Sequence, residues 1–306
     1  MEYPKVSILI PTLNAESVLG ECLRSIEMQD YPKDKVELII ADGGSKDKTL
    51  EIAKKYGAKI VDNPLKTAES GKKRALDNAT GEFCALIDSD NILPNKNWLK
   101  EMIVPLMENP EAVGSEPWKY VWRKEDGFIA RYCALLGMND PLVHFLGNYD
   151  RMNLLTGKWT EVKHDEDDKD GYILVRFGKS GIPTIGANGT VFRTNFLKEN
   201  VNGDYLFDID ILYSYLQKYG SVTFIKVRNG IIHTFCEGNI FKFAKKQRRR
   251  VRDFLYHKST GNRKYDWGKS NYAGILKFIL SCILIIPLFV QAFKGYSKKK
   301  DTAWFF

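Results

Sequence analysis

The opening third of the chain predicts an α/β protein built on a parallel sheet, and three observations carry that expectation. Short apolar runs rich in β-branched residues recur at 6–10, 36–41, 59–62 and 83–87. Segments with helical spacing separate them, as at 15–28, where Leu19, Leu23 and Ile26 share one face, and at 49–56. Three of the runs end in polar or acidic residues, Asn14, Asp42 and Asp88. Strands alternating with helices imply crossover connections and parallel pairing. Ligands of such sheets bind beyond the carboxyl ends of the strands, where all three residues fall.

Lys5 to Asn14 reads as a strand stopped by Pro11. After the helix at 15–28, Val36 to Ala41 forms the second strand and runs into Asp42-Gly43-Gly44-Ser45. Asp47 stands as N-cap of the helix that follows. The run Phe83-Cys84-Ala85-Leu86-Ile87 then ends abruptly in Asp88-Ser89-Asp90. Residues i and i+2 of a strand share a face, so both carboxylates project together into the crevice. Two hard oxygen ligands there suit Mg²⁺ or Mn²⁺ carrying a phosphorylated substrate. A solvated Asp-Ser-Asp turn is the reading that the triplet alone allows. There is no Gly-x-Gly-x-x-Gly and no Walker-type lysine, so dinucleotide and P-loop readings are poor.

With 306 residues, 44% hydrophobic and 27% charged, the chain can bury a core, and wholesale disorder is excluded. The net charge of +8 comes from 46 Lys and Arg against 38 Asp and Glu, with much of the excess in the last third. Five cysteines lack metal-type spacing and read as buried free thiols in a reducing compartment. No signal peptide is expected, because Glu2-Tyr3-Pro4-Lys5 leads straight into a strand.

In the middle, Trp98, Leu99, Met102, Ile103 and Leu106 have the spacing of a core helix face. Asn148 to Asn153 looks like an insertion that shapes specificity, and Lys163 to Asp168 reads as an exposed acidic loop. Phe207 to Leu212 opens a helix running towards Gly220. From Ile240 to Tyr256 an amphipathic pattern sets Lys242, Lys245, Lys246, Arg249 and Arg252 on one side. Such a helix lies well on an anionic membrane, at about 1 kcal/mol per basic residue near the surface. Ala273 to Phe293 is almost wholly apolar and close to the ~20 residues that span hydrocarbon. Arg263, Lys264 and Lys269 precede it, and Lys294, Lys298, Lys299 and Lys300 follow. One clean span would put a basic cluster on the wrong side, so an interfacial or re-entrant helix is expected, or a hairpin whose return begins at Trp304-Phe305-Phe306. A run that starts where the chain stops also suggests a shortened chain.

Val6 to Asn14, Asp42-Gly43-Gly44-Ser45-x-Asp47-x-Thr49 and Asp88-Ser89-Asp90 occur in the order and spacing of family 2 glycosyltransferases. The resemblance runs over residues 4–235 and is strongest before residue 95. It implies the GT-A fold, a Rossmann-like, mostly parallel sheet with flanking helices. Residues 1–237 would be catalytic, and 238–306 would add the basic helix and a membrane-associated segment. By resemblance, Pro11, Thr12 and Asn14 line the nucleotide pocket and Asp42 receives the base or ribose. Lys72 or Arg74 meets the diphosphate, and Asp88, Ser89 and Asp90 form the Asp-x-Asp motif with Asp90 on the metal. Ile185 to Arg193, including Gly186 and Asn188, is similar to the glycine turn beneath the sugar. Glu116-Pro117-Trp118 occupies the place where relatives position the acceptor.

Asp208 matches the Asp of the family's catalytic Glu-Asp pair, with Asp210 the alternative base, and His233 resembles a further metal ligand of some relatives. Gln247-Arg248-Arg249-Arg250-Val251 resembles a degenerate Gln-x-x-Arg-Trp motif whose arginines hold the leaving diphosphate or a lipid phosphate. Three departures stand out: Lys73 where relatives often have Asn, Phe207 in place of Glu, and Val251 in place of Trp. The resemblance therefore implies an inverting, Mg²⁺- or Mn²⁺-dependent enzyme that moves a sugar from a nucleotide-sugar donor to a lipid-linked or polysaccharide hydroxyl. Its place would be the cytoplasmic face of the cell membrane, peripheral or anchored through the C-terminal segment, with no nucleic-acid partner. A sugar-phosphate nucleotidyltransferase and a non-catalytic membrane adaptor with the same fold are the alternatives.

Overall fold

Strands and helices alternate through the first half of the chain: β1 (Val6–Thr12), α1 (Glu16–Glu27), β2 (Val36–Asp42), α2 (Thr49–Lys55), β3 (Lys59–Asp62), α3 (Ala68–Asp77), β4 (Phe83–Leu86), β5 (Asn91–Ile92), α4 (Trp98–Glu108) and β6 (Ala112–Val121). Two short helices follow, α5 (Phe128–Leu136) and α6 (Pro141–Leu146), then β7 (His164–Lys169), β8 (Tyr172–Phe177), β9 (Thr190–Arg193), α7 (Thr194–Asn200), α8 (Asp208–Tyr219) and β10 (Val222–His233). Three helices end the chain: α9 (Ile240–Ser259), α10 (Tyr272–Leu284) and α11 (Ile286–Lys298). This computed structural model describes residues 2–265 and 271–306, so Lys269 of the basic flank lies outside the described residues.

One ten-stranded sheet runs in the order β3-β2-β1-β4-β9-β6-β10-β8-β7, with β5 added to β10. Its first four strands are parallel, with Thr12 level with Asp42 and Leu9 level with Leu86. Pro11 does not stop β1. It pairs opposite Ala41 past the point where β4 leaves off, so its missing N–H breaks no bond to β4. Beyond β4 the sheet is mixed rather than mostly parallel: β9 runs against both β4 and β6, and β8 runs against β10. The expected acidic loop is β7, one arm of a hairpin with β8 that turns at Gly171 with φ +81°. Its residues after His164 are exposed, and a charged edge strand discourages pairing with other chains.

Two apolar layers sandwich the sheet. On one face Leu9, Ile39, Phe192 and Phe224 pack under Leu212 and Leu216 of α8. On the other, Ile8, Ile10 and Ile225 pack under α1 and under Trp98, Leu99 and Met102 of α4. The C-terminal apolar stretch is broken: α10 and α11 meet at 98°, with Ile285 at φ +61° between them. Trp304, the expected start of the return, is buried beside Leu135, Leu136 and Tyr149, with its ring against Gly295, where a Cβ would come within 2.4 Å.

Gly189 carries a backbone constraint that Gly186 does not. It sits at φ +80°, donates its N–H to the Leu86 carbonyl at 3.0 Å, and leaves no room for a Cβ between Ile231 and Trp98. At Gly186 the nearest atom to an added Cβ is 3.6 Å away. Urea unfolding should show Gly189→Ala destabilised by about 1–3 kcal/mol, and Gly186→Ala within about 0.5 kcal/mol of the parent. Equal costs would mean that this turn is not built as described.

Candidate active site

The Asp88-Ser89-Asp90 segment lies just past β4 in a closed turn, so loop geometry, not strand alternation, aims the two acids. The Asp88 N–H donates to Asn91 Oδ1 at 3.0 Å, and the Asn91 N–H donates to the Asp88 carbonyl at 2.9 Å. Asn91 then pairs with His233, the last residue of β10, and that register brings the imidazole beside Asp90. His233 Nε2 is 3.2 Å from Asp90 Oδ1, and Lys246 Nζ on α9 is 3.6 Å from Asp90 Oδ2. One ligand atom each from Asp88, Asp90 and His233 falls within a span of 4.8 Å.

Burial pushes both acids up. At Asp90 the charges of His233 and Lys246 outweigh it and hold the carboxyl well below the usual range. At Asp88 burial and the neighbouring Asp90 prevail over the pull of Lys72, and the carboxyl is raised. Two carboxylates and one imidazole are a donor set that fits a divalent metal ion. His233 Nδ1 is buried and has no hydrogen-bond partner among the described residues.

Asp208 opens α8, as the sequence implies, and its carboxylate is gripped by Lys72 of α3. Lys72 Nζ donates to both oxygens, at 2.9 and 3.2 Å, with the two side chains nearly closed to solvent. Burial raises Asp208 against the pull of Lys72, whereas Lys72 itself is raised because Asp208, Glu69 and Asp88 outweigh its burial. Asp210 points elsewhere. It accepts from the Lys264 and Tyr265 N–H groups at 2.5 and 2.8 Å and pairs with Arg263 at 2.7 Å, tying the segment after α9 to α8. Its carboxylate is thus engaged with the segment at 263–265 rather than with Lys72.

Asp42 is buried and bonded within its own loop. Thr12 Oγ1 and Ser45 Oγ donate to Oδ1, and the Gly44 and Ser45 N–H groups donate to Oδ2, all between 2.6 and 2.9 Å. These four bonds use the acceptor capacity expected to face a nucleotide. Asn14, at φ +51°, ties the β1 and β2 loops together by accepting from the Lys46 N–H and donating its own to Ser45 Oγ. Pro11 packs against the start of α3, where a Cβ on Gly71 would come within 2.7 Å of its ring. Arg74 is exposed and donates to the Asp62 carbonyl, so Lys72 alone of the two predicted cations faces the acids.

The arginine triplet differs from expectation too. Arg248 and Arg249 are exposed, Arg249 pairing with Asp253, while Arg250 lies over Phe235 and donates to the Asn139 carbonyl. The residue of α9 that reaches the acids is Lys246, one of the basic stripe that sequence spacing could not single out. Glu116 is not free to meet an acceptor. It is fully buried, bonded to Arg151 and, at 2.6 Å, to Lys226. Asp150 completes a buried quartet, pushed up to about 6 by burial despite Arg151, while burial lowers Lys226 to about 8. Arg151 also donates to the Asn188 carbonyl at 3.1 Å, and Asn188 Oδ1 accepts from Asn91 Nδ2 at 3.1 Å. A cavity of about 610 Å³ between residues 144–148 and Tyr213 is lined by none of the predicted site residues.

Comparison with known proteins bears on this geometry. Residues 7–135 match the family described as Glycosyl transferase family 2. The poly(ribitol-phosphate) beta-N-acetylglucosaminyltransferase TarS of Staphylococcus aureus is 38% identical over 103 residues, 32% of this chain and 18% of TarS. A dolichyl N-acetyl-alpha-D-glucosaminyl phosphate 3-beta-D-2,3-diacetamido-2,3-dideoxy-beta-D-glucuronosyltransferase of Methanococcus voltae is 33% identical over 105 residues, 32% of each chain. The matched stretches thus span a third or less of these relatives. The fold is similar to that of the mannosyltransferase PcManGT from Pyrobaculum calidifontis, solved with GDP-Man and Mn²⁺, at TM-score 0.54 and 16% identity over 97% of this chain and 74% of that one.

The Asp42 loop sets a pH dependence. Burial pushes the carboxyl up, but its bonds from Ser45, Thr12 and Gly44 prevail and the pKa is lowered. A folded-state value below the unfolded one, about 3.9, stabilises the fold above that pH, and the gain is lost as pH falls through the folded value. Asp42→Asn should therefore be less stable than the parent at pH 7, with the gap closing below about pH 4. A gap independent of pH in acid titrations of unfolding would contradict this.

Proposed function

Because residues 7–135 belong to glycosyl transferase family 2, we propose that the chain is an inverting glycosyltransferase acting on a nucleotide-sugar donor and an acceptor hydroxyl. The observation that carries this reading is the convergence of Asp88, Asp90 and His233 from segments far apart in the chain, with Asp208 held one side chain away by Lys72.

In this reading Asp90, Asp88 and His233 would hold a divalent ion, which would supply positive charge to offset the negative charge developing on the departing diphosphate. Lys72 adds a second cation on the side facing Asp208. Asp208 takes the proton from the acceptor hydroxyl, which attacks the anomeric carbon from the face opposite the nucleotide. The raised pKa of Asp208 strengthens it as a base. Thr12, Asn14 and Asp42 act by shaping the turn against which the nucleotide lies, and Ser89, Gly186 and Asn188 by shaping the floor beneath the sugar. Residues 1–237 form the catalytic unit, to which α9 contributes Lys246.

The acceptor, by analogy with what the two relatives' names state, is lipid-linked or phosphate-containing, and we place it at the cytoplasmic face of a membrane. The C-terminal elbow supports that placement. No single described helix is long and apolar enough to cross a membrane. Yet Leu276, Ile279, Ile283, Ile286, Phe289 and Phe293 are all exposed across the 98° bend, and Lys277, Lys294 and Lys298 to Lys300 are exposed around them. Apolar side chains ringed by cations suit immersion at the depth of anionic headgroups. Arg248 and Arg249, exposed on α9, are available to lipid phosphate.

Calorimetry with UDP and GDP should detect binding that needs Mn²⁺ and is abolished in Asp90→Ala. Asp208→Asn should bind at least as tightly as the parent but lose sugar transfer by about 10²-fold or more; near-normal turnover would remove Asp208 from the role. The paired change Ile283→Glu, Phe289→Glu should release the protein from vesicles containing anionic lipid, and undiminished cosedimentation would rule out the elbow as the anchor.

A further inference from the structure

Lys72 is where the metal-side acids and the base-side acid meet. Its ammonium is bonded to both oxygens of Asp208, at 2.9 and 3.2 Å, and the two side chains are 6% and 11% exposed. A carboxylate held in this way has spent lone pairs that a general base must offer to the acceptor hydroxyl. Lys72 is also close enough to Asp88 and Glu69 to feel both charges. A lysine is a compact charge on a flexible four-carbon stem, able to exchange one anion for another within its arc. A diphosphate gripped beside Asp88 would bring strong acceptor oxygens into that arc.

We propose that Lys72 is shared between two anions, held on Asp208 in the free protein and drawn onto the donor's diphosphate in the loaded one, so that donor binding releases the base. The inference rests on the glycosyltransferase reading and adds an order of events to it. Before a donor arrives the base is occupied, and the charge that engages the leaving group is the same charge whose departure frees Asp208. Lys72 is then a positioning residue towards the base as well as a ligand of the diphosphate.

Competition for one cation leaves a thermodynamic mark. Calorimetry on the full chain with Mn²⁺ and inorganic pyrophosphate as the probe can be run on the parent, Asp208→Asn, Lys72→Met and the double variant. Removing the Asp208 charge should free Lys72 and tighten pyrophosphate binding about tenfold, while in the Lys72→Met background the same change should do almost nothing. Equal tightening in both backgrounds would mean only that a negative charge had been removed, and would overturn the proposal. So would unchanged or weaker binding in Asp208→Asn. Should Lys72→Met fail to fold with Asp208 unpaired, the double variant lacks both charges, and it must bind at least tenfold more weakly than Asp208→Asn. Absence of Mn²⁺-dependent pyrophosphate binding in every variant would overturn the glycosyltransferase reading along with this one, whereas binding without the Asp208→Asn gain would overturn this one alone.

Discussion

Four carboxylates, Glu69, Asp88, Asp90 and Asp208, lie close enough to act on one another's charge, and that crowding governs the arrangement of the site. Like charges withdrawn from water raise each other's pKa unless cations stand among them. Three described groups answer that demand from three elements: Lys72 on α3, His233 at the end of β10 and Lys246 on α9. A divalent ion would add positive charge where these acids crowd together.

Beneath it lies a second arrangement of charge with the opposite logic. Glu116, Asp150, Arg151 and Lys226 are buried together, two acids against two bases, with nothing left over. Removing one member of such a set strands its partners, so the group acts as a fixed block rather than an adaptable one. From it a line of hydrogen bonds runs through the Asn188 carbonyl and side chain to Asn91, and from Asn91 to the Asp88 backbone. Rigidity in the balanced cluster thus sets the aim of the acids in the unbalanced one. Gly189 serves the same end, letting the backbone turn between Ile231 and Trp98 where a side chain would not fit.

Legibility followed the range of the interactions. The βα alternation, Asp88 and Asp90 at a strand end, Asp208 at a helix start and His233 closing a strand were all readable, because each depends on local pattern and on position relative to one element. Pairings between distant segments were not. Nothing in 163–168 announced a strand, since its burial pattern is that of a solvent-facing edge. Glu116 falls at the acceptor position by resemblance alone, and its partners Arg151 and Lys226, 35 and 110 residues away, are not legible from local pattern. Asp210 and Asp208 were alike in sequence. Only the fold shows one facing Lys72 and the other facing the segment at 263–265. Lys246 was one of several basic residues in a stripe until the packing of α9 chose it.

The central claim is that Asp88, Asp90 and His233 hold a single divalent ion, and pulsed electron paramagnetic resonance on the Mn²⁺-loaded protein tests it most directly. A ¹⁴N coupling from one imidazole, lost in His233→Gln, is expected. A Mn²⁺ signal without nitrogen coupling, or one unchanged by that substitution, would contradict it.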